Sequence, residues 1–279
     1  MLSNVEVDAR ERSGAPPAPR PGSVERTPTV QRRQLDRDLR RAVSHGDLVV
    51  HYQPRWSLAT GDLTGAEALL RWPDRRRGLV PPGEFIPAAE RSGLIHALGR
   101  WVLREACTEA ASWPGLAVSV NVSARQLREG TLLDQVGDAL AESGLSPERL
   151  ELEFPEELLL ECGTDLLLTL SALRDAGVGI ALDDFGSGCA SLSVLRRLPL
   201  TTLKLDRLLV RELPRSAEDA SIADAAIGAG HAMGLTVVAE GIETEAQRAL
   251  LSGLGCDEAQ GYLFSRPVPP AILRNLLDP

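Results

Sequence analysis

Short apolar runs alternate with longer amphipathic stretches along most of this chain. Leu48–Gln53, Leu63–Arg71, Ala117–Val122, Leu150–Phe154, Val178–Leu182, Thr202–Leu205 and Leu235–Ala239 are rich in Val, Leu and Ala. They are too short for helices and read as strands. Between them lie helical segments: Ile95–Ser112, Thr131–Glu142, Thr164–Ala176, Ser191–Arg197, Ala220–Met233 and Thr244–Leu251. Gly144, Gly177 and Gly234 stop three of these, and Thr244 with Gln247 forms a capping box at the start of another. A last, short unit covers Cys256–Phe264. Strand–helix alternation at this spacing predicts a parallel sheet. About eight units in roughly 245 residues predict a closed (β/α)8 TIM-like barrel rather than an open sheet. Residues 1–33 are rich in Pro, Arg, Ser and Gly and predict a disordered leader. A basic helix from Gln34 to Ser44 then opens a single domain over 34–279.

In such a barrel the chemistry collects at the C-terminal ends of the strands. Leu63–Arg71 puts Glu67, Leu69 and Arg71 on one face. Ala117–Val122 carries Asn121 on the face of Ser119. Leu150–Phe154 carries Glu153 beside Glu151. Val178–Leu182 runs into Asp183 and Asp184, then into Gly186-Ser187-Gly188. Thr202–Leu205 holds Lys204 on the face of Thr202 and Asp206. Leu235–Ala239 ends in Glu240, and the last unit offers Gln260. Each alone has an ordinary reading: a surface carboxylate, a turn former, an ion pair, or, for Asp183-Asp184, a helix N-cap with a spare acid. Together they aim five carboxylates at one mouth. Close like charges cost several kcal/mol even at a moderate effective dielectric. Hard divalent cations bound by oxygens would neutralise them.

Charge and composition sharpen this picture. The chain of 279 residues carries a net charge of -9, which disfavours a nucleic-acid polymer as partner. Four scattered cysteines, Cys107, Cys162, Cys189 and Cys256, make no zinc spacing or disulfide framework, as expected of a reduced, cytoplasmic protein. No apolar run spans a bilayer, and the charged N-terminus is no signal peptide. Among 30 Lys+Arg, Lys204 is the single lysine. Arginine serves elsewhere, but its planar fork cannot imitate a compact ammonium in a tight site. His51 and His231 have no ligand spacing and read as strand or helix surface. The four tryptophans read as core or rim packing.

The ordered motifs resemble one family. Gly65-Ala-Glu-Ala-Leu-Leu-Arg-Trp72, with Tyr52-Gln53-Pro54, Asn121-Val-Ser-Ala-Arg-Gln-Leu127, Glu153-Phe-Pro-Glu156, Asp183-Asp-Phe-Gly-Ser-Gly188, Leu203-Lys-Leu-Asp206, Ala239-Glu-Gly-Ile-Glu-Thr244 and Gln260-Gly-Tyr-Leu-Phe264, is similar to the EAL-domain cyclic di-GMP phosphodiesterases. The resemblance implies hydrolysis of one phosphodiester of cyclic di-GMP to linear pGpG, with two Mg²⁺ or Mn²⁺ ions, in a homodimer. It implies Glu67, Asn121, Glu153 and Asp183 as ligands of a first metal, with Asp183 bridging and Asp184 on the second. Lys204 would orient the attacking water. Glu240 would be base or ligand, and Gln260 would join the water network. Arg71 would hold phosphate, Gln53 and Asp206 would contact substrate, and Phe264 would pack on a guanine. Glu156 would anchor the glycine loop. Pro155 departs from the family's Thr, and Cys189-Ala190 from its aromatic and serine.

Two other functions remain to be weighed. A binding-only receptor of the same nucleotide would lose metal ligands, and none is missing here. A barrel lyase using Lys204 as a Schiff base needs a lowered lysine pKa, which Asp206 and the other acids oppose.

Overall fold

The structure, a computed structural model, describes residues 28–161, 163–186, 188 and 192–277. The elements in chain order are α1 (Pro28–His45), β1 (Val49–Ser57), β2 (Leu63–Asp74), β3 (Gly78–Val80), α2 (Pro82–Ser92), α3 (Leu94–Ala111), β4 (Ala117–Asn121), α4 (Ala124–Arg128), α5 (Leu132–Ser143), β5 (Leu150–Pro155), α6 (Thr164–Asp175), β6 (Gly179–Phe185), α7 (Leu192–Leu195), β7 (Thr202–Leu205), α8 (Arg207–Arg211), α9 (Ala217–Ala232), β8 (Thr236–Ala239), α10 (Glu245–Gly253), β9 (Glu258–Ala259) and α11 (Pro270–Leu277). Helix α1 starts at Pro28, ahead of the expected Gln34; the rest of the expected leader, 1–27, lies outside the described residues. Ser187, Cys189 and Ala190 of the glycine loop lie outside them too.

Eight strands close a barrel in the order β1-β9-β8-β7-β6-β5-β4-β2, with β2 returning to β1 and β3 appended as a flap on β2. The expected TIM-like barrel is present, with one difference. β1 runs antiparallel to both its neighbours, β2 and β9. The connection from β1 to β2 is only Leu58–Asp62, too short for a parallel crossover, which needs a dozen residues or more. All other barrel pairings are parallel.

Strand parity sorts the side chains. Val118, Val120, Leu152, Ile180, Leu203 and Val237 are buried against the helices. Tyr52 and Trp72 join them: Tyr52 meets Trp113 edge to face at 5.2 Å, and Trp72 meets Phe85 at 5.7 Å. The opposite parity points to the barrel axis and carries the charged and amide side chains, with Ala181 and Val238 among them. Because β1 is reversed, its inward residues Arg55, Gln53 and His51 climb toward the mouth in that order.

Candidate metal centre

Lys204 stands at the centre of the mouth. Its side chain is 1% exposed, and its Nζ lies 2.6 Å from Glu240 Oε1, 2.8 Å from Glu153 Oε1, 3.3 Å from Asp183 Oδ1 and 3.7 Å from Glu67 Oε2. Five different strands or strand ends thus meet on one nitrogen. Two amides fix Glu67: Asn121 Nδ2 donates to Oε1 at 2.6 Å, and Gln260 Nε2 donates to Oε2 at 2.5 Å. Gln260 also approaches Gln53 Oε1 at 3.3 Å, and Gln53 donates to the Ser265 carbonyl at 3.2 Å.

Asp184 completes the rim. It is the only non-glycine residue with positive φ (57°) among the described residues. Aspartate tolerates the left-handed region better than most residues. The turn breaks the β6–β7 register after Leu182. It lets adjacent residues of one strand face the same mouth, where ligand atoms of Asp183, Asp184 and Glu240 lie within 4.8 Å of one another. Glu156 follows the C-terminal end of β5, and its Oε2 accepts from the backbone N–H of Gly186 at 3.0 Å and of Gly188 at 3.2 Å.

One ammonium does not balance these acids, and their protonation shows it. Burial alone would depress Lys204, yet Asp183, Glu153, Glu240 and Glu67 together hold it well above the usual lysine range. Glu240 is pushed up to about 8 by burial and by the charges of Asp183 and Glu67, against the pull of Lys204. Glu153 is raised well above its ordinary value by burial and by Glu67, Asp183 and Glu240. Asp184 is pushed up to about 7 by burial, Asp183 and Asp206. Glu67 goes the other way: burial opposes its charge, but Lys204, Gln260 and Asn121 hold it ionised. Burial and mutual repulsion thus favour the protonated forms of Glu240, Glu153 and Asp184 in the metal-free site.

The donor set fits divalent metal. Oε2 of Glu153 is buried with no hydrogen-bond partner, an unsatisfied oxygen aimed into an oxygen-lined site. Glu67, Asn121, Glu153, Asp183, Asp184 and Glu240 supply the hard ligands that Mg²⁺ or Mn²⁺ prefers.

Three expected contacts sit further out. Arg71 is half-buried on the rim, and its Nη1 donates to the Leu70 carbonyl at 2.9 Å. Asp206 caps α8, accepting from Leu208 N–H at 2.5 Å, and faces Asp184. Phe264 is half-buried: one face of its ring stacks on Trp56 with centroids 6.2 Å apart, and the side chain packs against the apolar cluster of β7 and β8. The exposed aromatic of that turn is Tyr262, 51% accessible, with Arg266 4.2 Å over its ring and Arg71 nearby. His51, expected on a surface, shares the inward parity of Gln53 and is only half-exposed, near Arg71 and Pro267. His231 is exposed, 2.9 Å from Asp257. A cavity of about 370 Å³ opens from Glu67, Arg71, Asn121, Asp183 and Asp184 toward Ile86 and Ile95.

The EAL-domain family pattern matches residues 36–267. A bifunctional diguanylate cyclase/cyclic di-GMP phosphodiesterase of Pseudomonas aeruginosa, MucR, is 44% identical over 241 residues, which are 85% of this chain and 35% of that protein. The cyclic di-GMP phosphodiesterase NbdA of the same organism is 42% identical over 253 residues, covering 89% of this chain and 32% of that protein. The chain thus spans about a third of the length of the curated relatives it matches. The solved MucR phosphodiesterase in complex with c-di-GMP superposes with a TM-score of 0.83 at 42% identity, over 86% of this chain and 99% of that one.

Proposed function

This chain belongs to the EAL-domain family, and from that premise we propose that it hydrolyses cyclic di-GMP to linear pGpG. We propose two Mg²⁺ or Mn²⁺ ions as cofactors, held by Glu67, Asn121, Glu153, Asp183, Asp184 and Glu240. The observation that carries the reading is the meeting of these ligands around a single buried ammonium. Bound divalent cations supply the chemistry that neutralises a phosphodiester and acidifies a water.

The chain's own groups supply position. Lys204 Nζ donates to the attacking water and to the charge that develops on phosphorus-bound oxygen. A compact ammonium can serve both, where an arginine fork cannot. Arg71 on the rim binds a phosphate oxygen, and Gln53 and Tyr262 hold the rest of the nucleotide. Water adds to phosphorus, the P–O3′ bond breaks, and the water's proton ends on the freed 3′-oxygen. Glu240, whose Oε1 lies 2.6 Å from Lys204 Nζ, would relay that proton. The product keeps a 5′-phosphate.

We further propose that the protein works in the bacterial cytoplasm as a homodimer, as the family resemblance implies. No described helix is long and apolar enough to cross a membrane, and Cys107 and Cys256 are buried free thiols. Light scattering checks the dimer. The test of function is chromatography of cyclic di-GMP incubated with the protein and Mg²⁺ or Mn²⁺. Metal-dependent pGpG is expected. Binding without cleavage would move the chain to the receptor class.

A further inference from the structure

Below the mouth, the barrel axis carries a second charged layer that none of these steps uses. Arg55 faces inward, with Nη1 2.6 Å from Glu151 Oε1 and Nε 2.8 Å from Glu258 Oε2. Thr202 Oγ1 donates to the other Glu151 oxygen at 2.5 Å. The three charged side chains are 9%, 9% and 16% exposed. Glycines make room for them. A Cβ on Gly65 would stand 3.4 Å from Arg55 Nη2 and 2.9 Å from the Ala117 carbonyl oxygen. One on Gly179 would stand 3.3 Å from Glu151 Cβ.

This layer meets the mouth through two strands. Glu151 precedes Glu153 by two residues on β5, and Thr202 precedes Lys204 by two on β7, each pair on one face. Lys204 therefore stands over the Thr202–Glu151 bond. The Lys204 charge acts on Glu151, and the Glu153 charge acts on Arg55. Without Arg55, Glu151 and Glu258 would lose their cation, and Glu151, two residues from Glu153 on β5, would compete with the upper set for the ammonium.

We propose that Arg55 is a positioning residue: by holding Glu151 and Glu258 it leaves the Lys204 ammonium to Glu153, Asp183 and Glu240. The inference rests on the hydrolase reading, and its test separates the two. Three variants are compared: Arg55→Met, the neutral triple Arg55→Met/Glu151→Gln/Glu258→Gln, and Thr202→Val, which only loosens Glu151. Each is measured for kcat, for Mg²⁺ affinity by calorimetry and for Tm.

Groups that orient a metal-site residue typically change activity 10–100-fold when removed, so Arg55→Met is expected to lose roughly tenfold or more in kcat. Its Mg²⁺ affinity stays equal or tightens, because an ammonium drawn downward repels the cation less. The triple variant returns to within about threefold of wild-type kcat, since neutral replacement of a whole buried ion cluster is often tolerated. General structural damage would instead weaken Mg²⁺ binding along with kcat and would not be repaired by two further core substitutions. A folded Arg55→Met protein with wild-type kcat, or a triple variant as slow as the single, overturns the proposal. Should Arg55→Met not fold, Thr202→Val carries the test: lower kcat with retained Mg²⁺ affinity supports it, and unchanged kcat overturns it. An inactive wild type would sink the hydrolase reading alone. The Mg²⁺ titrations then decide, and weaker binding by Arg55→Met overturns the positioning role.

Discussion

Metal binding at this mouth must expel protons, and the amount can be worked from the groups involved. Glu240 is pushed up to about 8 and Asp184 to about 7 in the metal-free protein, and Glu153 is also raised. A ligand carboxylate must be ionised to bind, so each group lowers apparent affinity by its protonated fraction. Lowering the pH from about 8 to about 6 costs about 50-fold through Glu240 alone. Asp184 is exposed, and solvent screening trims its share to at most about tenfold. The total is on the order of 100-fold or more. Titration calorimetry with Mg²⁺ at several pH values, in buffers of different ionisation enthalpy, reads both the affinity and the protons released. More than one proton should leave near pH 7. Glu240→Gln should flatten the profile by about tenfold or more. Stability follows with a defined sign. Glu240's folded value lies above the ordinary 4.5, so the folded state holds the proton more tightly. Metal-free stability should therefore fall as pH rises from about 5 to about 8, with Mg²⁺ restoring it most at the upper end. A Mg²⁺ affinity that ignores pH, with no proton release, would refute the charge account of the site.

Further tests address single residues. Lys204→Arg should lose nearly all turnover while keeping part of its nucleotide binding; wild-type turnover would remove the special role of the lone lysine. Asp183→Asn should weaken metal affinity and turnover together, by roughly 10-fold or more each, as read by calorimetry and product chromatography. Phe264→Ala should lower Tm through loss of the Trp56 stack, a pair worth about 0.5–1.5 kcal/mol beyond its buried area, whereas Tyr262→Ala should raise KM with Tm unchanged. Gly261→Ala should fail to fold or melt far below wild type, because its Cβ would lie 2.2 Å from the Ile242 carbonyl oxygen, a backbone atom that cannot step aside.

The strand ends were legible because period-two alternation fixes which residues share a face. Parity alone put Glu67, Asn121, Glu153, Asp183 and Lys204 on the side where the barrel now holds them. The Thr244–Gln247 capping box was equally local, and both of its reciprocal bonds are present. The reversal of β1 was missed because Leu48–Gln53 has the same hydrophobic pattern read either way; the available signal was the gap 54–62 before Leu63, too short for a parallel crossover. That reversal also decides that His51 faces the mouth. Short elements such as α4 and α8 escaped because they span too little chain for a 3.6-residue period to register. In α4 the Ser123–Gln126 capping box was the available signal, and both its bonds are present. The Arg55–Glu151–Glu258 layer joins residues far apart in the chain, so no spacing announces it. Phe264, which the resemblance implies against a guanine, also stacks on Trp56, a contact between residues far apart in the chain that no spacing announces.

On the proposed function, a ring of oxygens at the barrel mouth gathers two divalent cations beside one ammonium. Anomalous scattering from a crystal soaked in Mn²⁺ tests it most directly. Two peaks about 3.5–4 Å apart are expected, bounded by Glu67, Asn121, Glu153, Asp183, Asp184 and Glu240, with Lys204 alongside. A mouth without manganese at saturating concentration, or manganese held only by surface carboxylates elsewhere, would contradict it.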